Sequence, residues 1–289
     1  MTDLRFGLDV WQQRSSIDEL RTGWEMADAA GIHNLWLCDH FKSLPMRSEG
    51  MEPIFEAWTC LAAMAAVTQR ARIGVMVTGN TIRHPGILAK MAVTVDHLSG
   101  GRLEFGLGAG DADKEHAMLG LDFPPAPQRL ARWREALEVI RRLWTGEVVD
   151  FEGEHYRLTG AIGNPTPLQQ PHPPIWLGGG GEKVTLRIVA EHADVWNAIG
   201  IETLDDLARK LRVLDEHCDA VGRDPAAIRR TVQVHLDAPE DVDATTRRME
   251  DLVALGFTEF VVIIPPPDPL PRVELALTTL LPRFGFAAA

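Results

Sequence analysis

Two short stretches of the chain concentrate residues able to do chemistry. The pair Asp39-His40 directly follows the apolar run Leu35-Trp-Leu-Cys38. A carboxylate beside an imidazole, at the point where a strand gives way to a loop, can hold the polar edge of a ligand and pass a proton near neutral pH. Read alone, the same two residues are equally a turn aspartate beside a hydrogen-bonded histidine. The second stretch is Gly178-Gly-Gly-Gly181, followed by Glu182 and Lys183. Glycines let the backbone approach a ligand and turn several N–H groups toward one point. A helix beginning just after them adds partial positive charge, so phosphate is the natural guest, with Lys183 as a further cation. The run lacks the GxxxxGK[ST] order of a nucleotide-triphosphate loop.

A third glycine-bearing segment, Gly106-Leu-Gly-Ala-Gly110, is not a dinucleotide fingerprint, because Asp111-Ala-Asp-Lys-Glu115 does not continue GxGxxG. Its Gly108, Ala109 and Gly110 read instead as a second close-approach loop against a flat ring or a phosphate tail. Asp111, Asp113, Glu115 and His116 cluster behind it, partly as helix caps. Their spacing matches no hard-metal loop, and no metal site is expected. Arg83 and Lys90 read as solvated or ion-paired, and His84-Pro85 as a helix start. Trp24, Trp133 and Trp144 fall on apolar helix faces. Trp196, near a strand exit, is a candidate to touch a ligand. No GxSxG nucleophile elbow and no HExxH occurs.

These residues need a scaffold, and the pattern supplies one. Short β-rich runs at 5–10, 34–38, 72–77, 103–107, 174–177, 194–198, 231–236 and 257–264 alternate with helical periodicity at 17–30, 55–68, 85–98, 128–144, 184–192, 204–221, 242–255 and 272–281. Alternation of this kind means a parallel sheet. Eight strand–helix pairs over 289 residues predict a single-domain (β/α)8 TIM barrel, with a Rossmann-type sheet as the rival. An insertion, a hairpin at 148–158 and a proline-rich ordered loop at 163–174, falls between helix 4 and strand 5. In a barrel the functional residues belong at the strand exits. That rule selects Asp39-His40, Val77-Thr78, Gly108–Asp111, Gly178–Lys183, Trp196-Asn197, His235 and Pro265.

Composition narrows the function classes. The net charge of −12 opposes a nucleic-acid surface. Three cysteines without CxxC spacing argue against a disulfide framework or a zinc site. The start shows no signal peptide, and no run approaches the ~20 apolar residues of a membrane span, so a cytoplasmic protein is expected.

Several stretches, in order over about residues 5–200, resemble the luciferase-like monooxygenase superfamily. They are Leu35-Trp-Leu-Cys-Asp-His40, Glu56-Ala-Trp-Thr59, Arg83-His-Pro85 with Leu88-Ala-Lys90, Leu98-Ser-Gly-Gly-Arg102, Gly106–Gly110, Glu115-His116, Phe123-Pro-Pro125, Gly153 with Tyr156, and Pro173-Pro-Ile-Trp-Leu-Gly178 running into the tetraglycine. Within that superfamily the glycine run, with Glu182-Lys183-Val-Thr-Leu186 and Asp39-His40, is most similar to the F420-dependent oxidoreductase branch. The resemblance implies a deazaflavin, coenzyme F420, lying at the strand exits with its phosphate tail at the glycine run. It implies a non-proline cis peptide after the third strand, by position Met76–Val77, supporting the ring from behind. It implies that Asp39 bonds the ring's polar edge, that His40 exchanges a proton at the reacting face, and that Ala109, Gly110 and Asp111 line the ring and the substrate mouth. Relatives often carry an aromatic residue or Glu where Asp111 stands, so a proton-transfer role for Asp111 is open.

The expected reaction is hydride transfer between F420 and a small organic substrate: reduction of an activated double bond or oxidation of an alcohol. The resemblance also implies a homodimer, and a separate F420 or flavin reductase as electron supplier. Two alternatives stand beside it: an FMN-dependent monooxygenase on the same barrel using O2 and a separate reductase, and a cofactor-free binding barrel. Loop 41–54, with Phe41, Met46 and Met51, is expected on the substrate side, either as an apolar mouth or as packing. The insertion and the Ile264-Pro-Pro-Pro267 exit join it there.

Overall fold

The structure, a computed structural model, describes residues 4–43 and 51–288. Eight parallel strands close into a barrel. In chain order they are β1 (Arg5–Val10), β2 (Asn34–Leu37), β3 (Arg72–Val75) continued by β4 (Thr78–Gly79), β5 (Leu103–Gly108), β8 (Ile175–Gly178), β9 (Val195–Ala198), β10 (Arg229–His235) and β11 (Glu259–Ile264). Pairing runs β3-β2-β1-β11-β10-β9-β8-β5, and a β3–β5 pairing completes the circle. A helix follows each strand: α1 (Ile17–Ala29), α2 (Ala57–Val67), α3 (Pro85–Ser99), α5 (Ala126–Trp144), α6 (Thr185–His192), α7 (Leu204–Ala220), α8 (Val242–Ala254) and α9 (Pro269–Leu275). This is the TIM barrel read from the alternation. The inserted hairpin, β6 (Val148–Glu152) with β7 (Arg157–Ile162), forms its own two-stranded antiparallel sheet between α5 and β8.

Local chemistry sets the helix ends. Ser16 and Glu19 form a reciprocal capping box at the start of α1, and Leu20, Trp24 and Ala27 face the core from it. Pro85 opens α3 behind a His84 cap, and Gly100 ends it with φ 69°. Single carboxylates gather loops: Asp28 accepts the amides of Gln69, Arg70 and Ala71. Glu135 of α5 likewise accepts those of Glu154, His155 and Tyr156 at the hairpin turn.

Strand parity decides which side chains see the barrel axis. Phe6, Leu8 and Val10 of β1 pack outward with the helices, as do Leu35, Leu37, Phe260, Val262 and Ile264. The opposite parity points inward: Trp36, Cys38, Met76, Trp176, Val195, Val261 and Ile263 form a separate inner cluster. At the N-terminal base of the barrel the inward residues are charged and mutually bonded. Arg72 and the Trp176 indole bond Glu104. Arg229 bridges Glu259 at 3.0 Å and Glu104 at 3.4 Å. Asn34 joins Glu259 at 2.9 Å and receives Trp36 Nε1 at 2.7 Å.

The structure departs from the sequence reading in four places. The third strand, expected to run to Val77, ends at Val75 and resumes as β4 beyond the cis Met76–Val77 peptide, which stands where the resemblance implied it. The acidic cluster after β5 is itself a short helix, α4 (Asp113–Leu119), ended by Gly120 at φ 69°. The second hairpin strand reaches Ile162, and Gly160, at φ 57°, lies within it. The last helix begins at Pro269, because prolines are tolerated in a first turn, and loosens into a π turn at Ala276–Leu280.

Candidate functional site

The C-terminal mouth of the barrel holds a cavity of about 360 Å³, walled by Asp39, His40, Met76, Val77 and Thr78 on one side. Gly108, Ala109, Gly110, Asp111, Gly178, Gly179, Thr185, Asn197 and Gln233 complete most of the wall. The acid–imidazole pair and the start of the tetraglycine therefore open on one space, as the strand-exit rule requires. The volume lies in the range of small-molecule sites.

His40, just beyond β2, is placed by α4. Its Nδ1 lies 2.9 Å from Glu115 Oε1, and the other carboxylate oxygen of Glu115 accepts the Phe41 amide at 3.2 Å. Burial pushes the imidazole toward its neutral form. The Glu115 bond and charge, with Asp111 and Asp39 close by, outweigh it and hold the His40 pKa above its ordinary value. Burial likewise works to raise the Glu115 carboxyl, but the His40 bond and charge and the amides of Phe41 and Lys42 hold it below its ordinary value. Contact between residues 75 apart in sequence leaves no local spacing signal, and Glu115 was legible only as one acid in a cluster.

Asp39 is committed to the protein. Arg83 grips both its oxygens, at 2.6 and 2.9 Å, and the Gly79 amide donates to Oδ2 at 3.0 Å. Arg83 also reaches Glu56 at 2.5 Å, and Glu56 caps α2. The expectation that Asp39 serves the edge of a bound ring thus meets a carboxylate already held by a fork-shaped cation. Arg83 is ion-paired, as its sequence context suggested.

The cavity bottom is shaped by what glycines leave out. A Cβ on Gly108 would stand 2.7 Å from a Val77 methyl, and one on Gly178 would stand 3.4 Å from it. Val77, across the cis bond from Met76, thus fills a cleft between two bare strands. Thr78 is buried, its hydroxyl receiving Trp58 Nε1 at 3.0 Å. Gly110 has φ 86° and sits against Thr81. His116 bonds Thr81 Oγ1 at 2.7 Å, and Arg129 donates to the Gly110 carbonyl at 3.0 Å, so the 108–112 loop is locked from outside.

At the glycine run, Gly178 and Gly179 wall the cavity, with Thr185 from the first residue of α6. Gly180 lies against the Lys210 ammonium, which is paired with Glu202. Gly180, Gly181, Glu182 and Lys183 are set back from the cavity. Glu182 turns to α7, its carboxylate bonded by Arg209 and its carbonyl by His217. Lys183 is exposed. The cation beside the run is Lys210, in the middle of a helix that the sequence reading used only as scaffold. Trp196 is a second correction. It is fully buried in the helix-side core, where its Nε1 bonds the Gly179 carbonyl at 2.9 Å, bracing the loop from behind. The inward residue is its neighbour Asn197, bonded by Gln233 at 2.7 Å.

Asp9, which no sequence cue singled out, is buried inside the barrel at the same end. Trp11 Nε1 donates to its Oδ2 at 3.2 Å, and its Oδ1 has no hydrogen-bond partner. Burial pushes this carboxyl up to about 7, while the Trp11 bond and the nearby His40 charge pull it down only in part. His235 points into a separate surface hollow with Arg248 and Glu202, edge-on to Trp11. Met51 is exposed, and Met46 lies outside the described residues. Among the described residues, no helix is long and apolar enough to cross a membrane.

The sequence model of the luciferase-like monooxygenase family matches residues 4–267. An F420-dependent glucose-6-phosphate dehydrogenase of Kineococcus radiotolerans is 35% identical over 218 residues, covering 74% of this chain. The chain spans 62% of that relative's own length. A second protein of that name, from Microbacterium testaceum, is 30% identical over 257 residues, covering 88% of this chain and 74% of the relative. Among solved structures, an F420-dependent secondary alcohol dehydrogenase in complex with an F420-acetone adduct superposes with a TM-score of 0.85. It is 18% identical, over 97% of this chain and 98% of the other.

Proposed function

The chain belongs to the luciferase-like monooxygenase family, and from that premise we propose that it is a single-domain F420-dependent oxidoreductase acting on a small organic substrate. Support comes from two relatives named for F420, identical at 35% and 30%. The observation that carries the reading is that the His40–Glu115 pair, the Val77 cleft and the first glycines of the run share one cavity. The donor set fits the cofactor. A flat ring fits over Val77 between Gly108 and Gly178, neither of which projects a side chain. A phosphate fits Gly179, Thr185 and the start of α6, with Lys210 alongside.

Bound F420 would supply the ring carbon that gives or takes the hydride. The protein's own residues would do the rest. Glu115 holds Nδ1 of His40, so Nε2 is the nitrogen that exchanges a proton with the substrate oxygen or carbon. Asp39, Arg83 and Glu56 form a rigid wall behind it. The tightly locked 108–112 loop and Val77 fix the distance between ring and substrate. Asp111, at the rim, adds negative charge that favours protonated His40. Among the described residues, no lysine or arginine walls this cavity, which favours an uncharged alcohol, ketone or enone over a phosphorylated sugar.

In the reducing direction a separate reductase would supply reduced cofactor. The reading includes a cytoplasmic homodimer, checked by sizing in solution. The deciding experiment is a titration with F420 and with FMN, followed by a screen of secondary alcohols, unsaturated ketones and glucose 6-phosphate by deazaflavin absorbance. Tight F420 binding with turnover of an uncharged substrate is expected. FMN binding without F420 binding would assign the chain to oxygen chemistry instead.

A further inference from the structure

A ring over Val77, between Gly108 of β5 and Gly178 of β8, leaves the β9–β10 side of the mouth to the substrate. That side is walled by Asn197, Ile199 and Gln233. Gln233 points inward, because Val232 and Val234 on either side of it pack with the helices. It walls this cavity and not the neighbouring hollow around His235. Its amide is held by a chain of hydrogen bonds that runs in one direction. The Trp196 carbonyl can only accept, so the Thr231 hydroxyl gives it its single proton, at 3.2 Å. Thr231 Oγ1 then accepts from Asn197 Nδ2, at 2.8 Å. That turns Asn197 Oδ1 toward Gln233, whose Nε2 donates to it at 2.7 Å. Thr231 and Asn197 are both sealed from solvent. Gln233 Oε1 accepts no bond among the described residues, and it is not one of the buried unpaired atoms. The loop carrying Ile199 is pinned beside it. A Cβ on Gly200 would run into the Gln233 carbonyl, and Arg248 binds the Gly200 carbonyl at 2.8 Å.

We propose that Gln233 is a specificity-determining residue, whose Oε1 accepts a hydrogen bond from a substrate hydroxyl lying away from the reacting carbon. The substrate class is then a ketone or alcohol that carries a further hydroxyl, with its apolar body against Ile199. The proposal deepens the reading of an uncharged substrate and rests on it. The direction of the chain carries the argument. A glutamine free to turn offers either end of its amide, and so separates donors from acceptors poorly. Here one Nε2 proton is spent on Asn197. What is left is one proton against the two lone pairs of a carbonyl oxygen held in a fixed place. A hydroxyl completes that oxygen, whereas an ether at the same place sets oxygen against oxygen. The pairing order β2-β1-β11-β10 puts two strands between His40 and Gln233. The two side chains therefore address separate ends of a molecule, one for the chemistry and one for selection.

The probes are 4-hydroxycyclohexanone and 4-methoxycyclohexanone, which share a ring and a carbonyl and differ in the hydroxyl proton. Their dissociation constants are read by NMR on full-length protein labelled at the glutamine side-chain nitrogens, with and without F420. In wild type the hydroxy ketone should bind more tightly and shift the Gln233 amide signals, which Q233L assigns. The ratio of the two constants should fall about tenfold in Q233L, the worth of one neutral hydrogen bond. T231V keeps Gln233 but lets the chain reverse, and should lower the ratio about threefold; it decides the matter if Q233L does not fold. Equal binding of the two ketones by wild type, or a ratio that the substitutions leave unchanged, would overturn the proposal. So would weaker F420 binding in Q233L with the ratio kept, which would give Gln233 to the cofactor. The expected ratios without any reduction of the ketones by reduced F420 would support the proposal and overturn only the hydride-transfer reading.

Discussion

The two ends of the barrel are built from the same residue types and used differently. At the base, Arg72, Glu104, Arg229, Glu259 and Asn34 bond one another and the indoles of Trp36 and Trp176. Every one of those side chains is spent on another, and none of their atoms is among the buried unpaired ones. At the mouth, Asp39–Arg83–Glu56 and His40–Glu115 are equally well paired, yet both face a cavity, and Asp9 keeps an oxygen unbonded. Buried charge in itself therefore does not mark the working end of a barrel. What marks it here is a cavity walled by the paired groups, which the bonded cluster at the base does not have.

Substitutions at the two ends should separate activity from stability. The largest effect is expected from His40→Ala, which should lower turnover by about 10²–10⁴-fold while leaving the melting temperature near that of wild type. Its counterpart, Glu104→Ala, removes the buried carboxylate shared by Arg72, Arg229 and the Trp176 indole and should cost about 3 kcal/mol in denaturant unfolding, with turnover per folded molecule unchanged. Loss of turnover in a fully stable Glu104→Ala protein would break the division. Next is Arg83→Lys, which keeps the charge but loses the fork on Asp39. A stability loss of about 1.5–3 kcal/mol, with weakened substrate binding, would show that the Asp39 wall is structural at the mouth as well. Lys210→Ala should raise the F420 dissociation constant about tenfold, the value of one charge-assisted contact, with little effect on unfolding. An unchanged constant would remove Lys210 from the phosphate site.

The smallest effect is the pH dependence of stability at the mouth. His40 is raised in the folded state, so its contribution is complete below the unfolded histidine value and fades as pH rises through the folded one. Glu115 is lowered, so its contribution is complete above the unfolded glutamate value and fades as pH falls through the folded one. The pair should stabilise most between about 4.5 and 6.5. In Glu115→Gln that plateau should flatten in a series of thermal melts, and an unaltered profile would mean the pair contributes nothing.

The architecture was legible because alternating apolar runs carry it, and the site was legible wherever it coincides with a strand exit. Parity was not. β9 is buried on both faces over all four of its residues, so no polar alternation tells Trp196 from Asn197, and the larger side chain was given the inward place that the smaller one holds. The His40–Glu115 contact joins β2 to α4, and Lys210 meets Gly180 from the middle of α7. Both depend on how helices wrap the barrel, which spacing along the chain does not encode. Asp9 looked like one polar residue in a strand, and only closure of the sheet made it an isolated carboxyl.

Glu135 fastens three consecutive amides at the hairpin turn, and the two inserted strands pair with each other rather than with the barrel. The hairpin is thus clipped by its turn to α5, with Tyr156 against Asn80 and His84 and the following loop bonded to Asp96 of α3, and the barrel's own strand pairing runs around it uninterrupted. Lineages could exchange or trim this piece to reshape the approach to the mouth while the wall that holds His40 stays untouched, so new selectivity need not be bought with foldability.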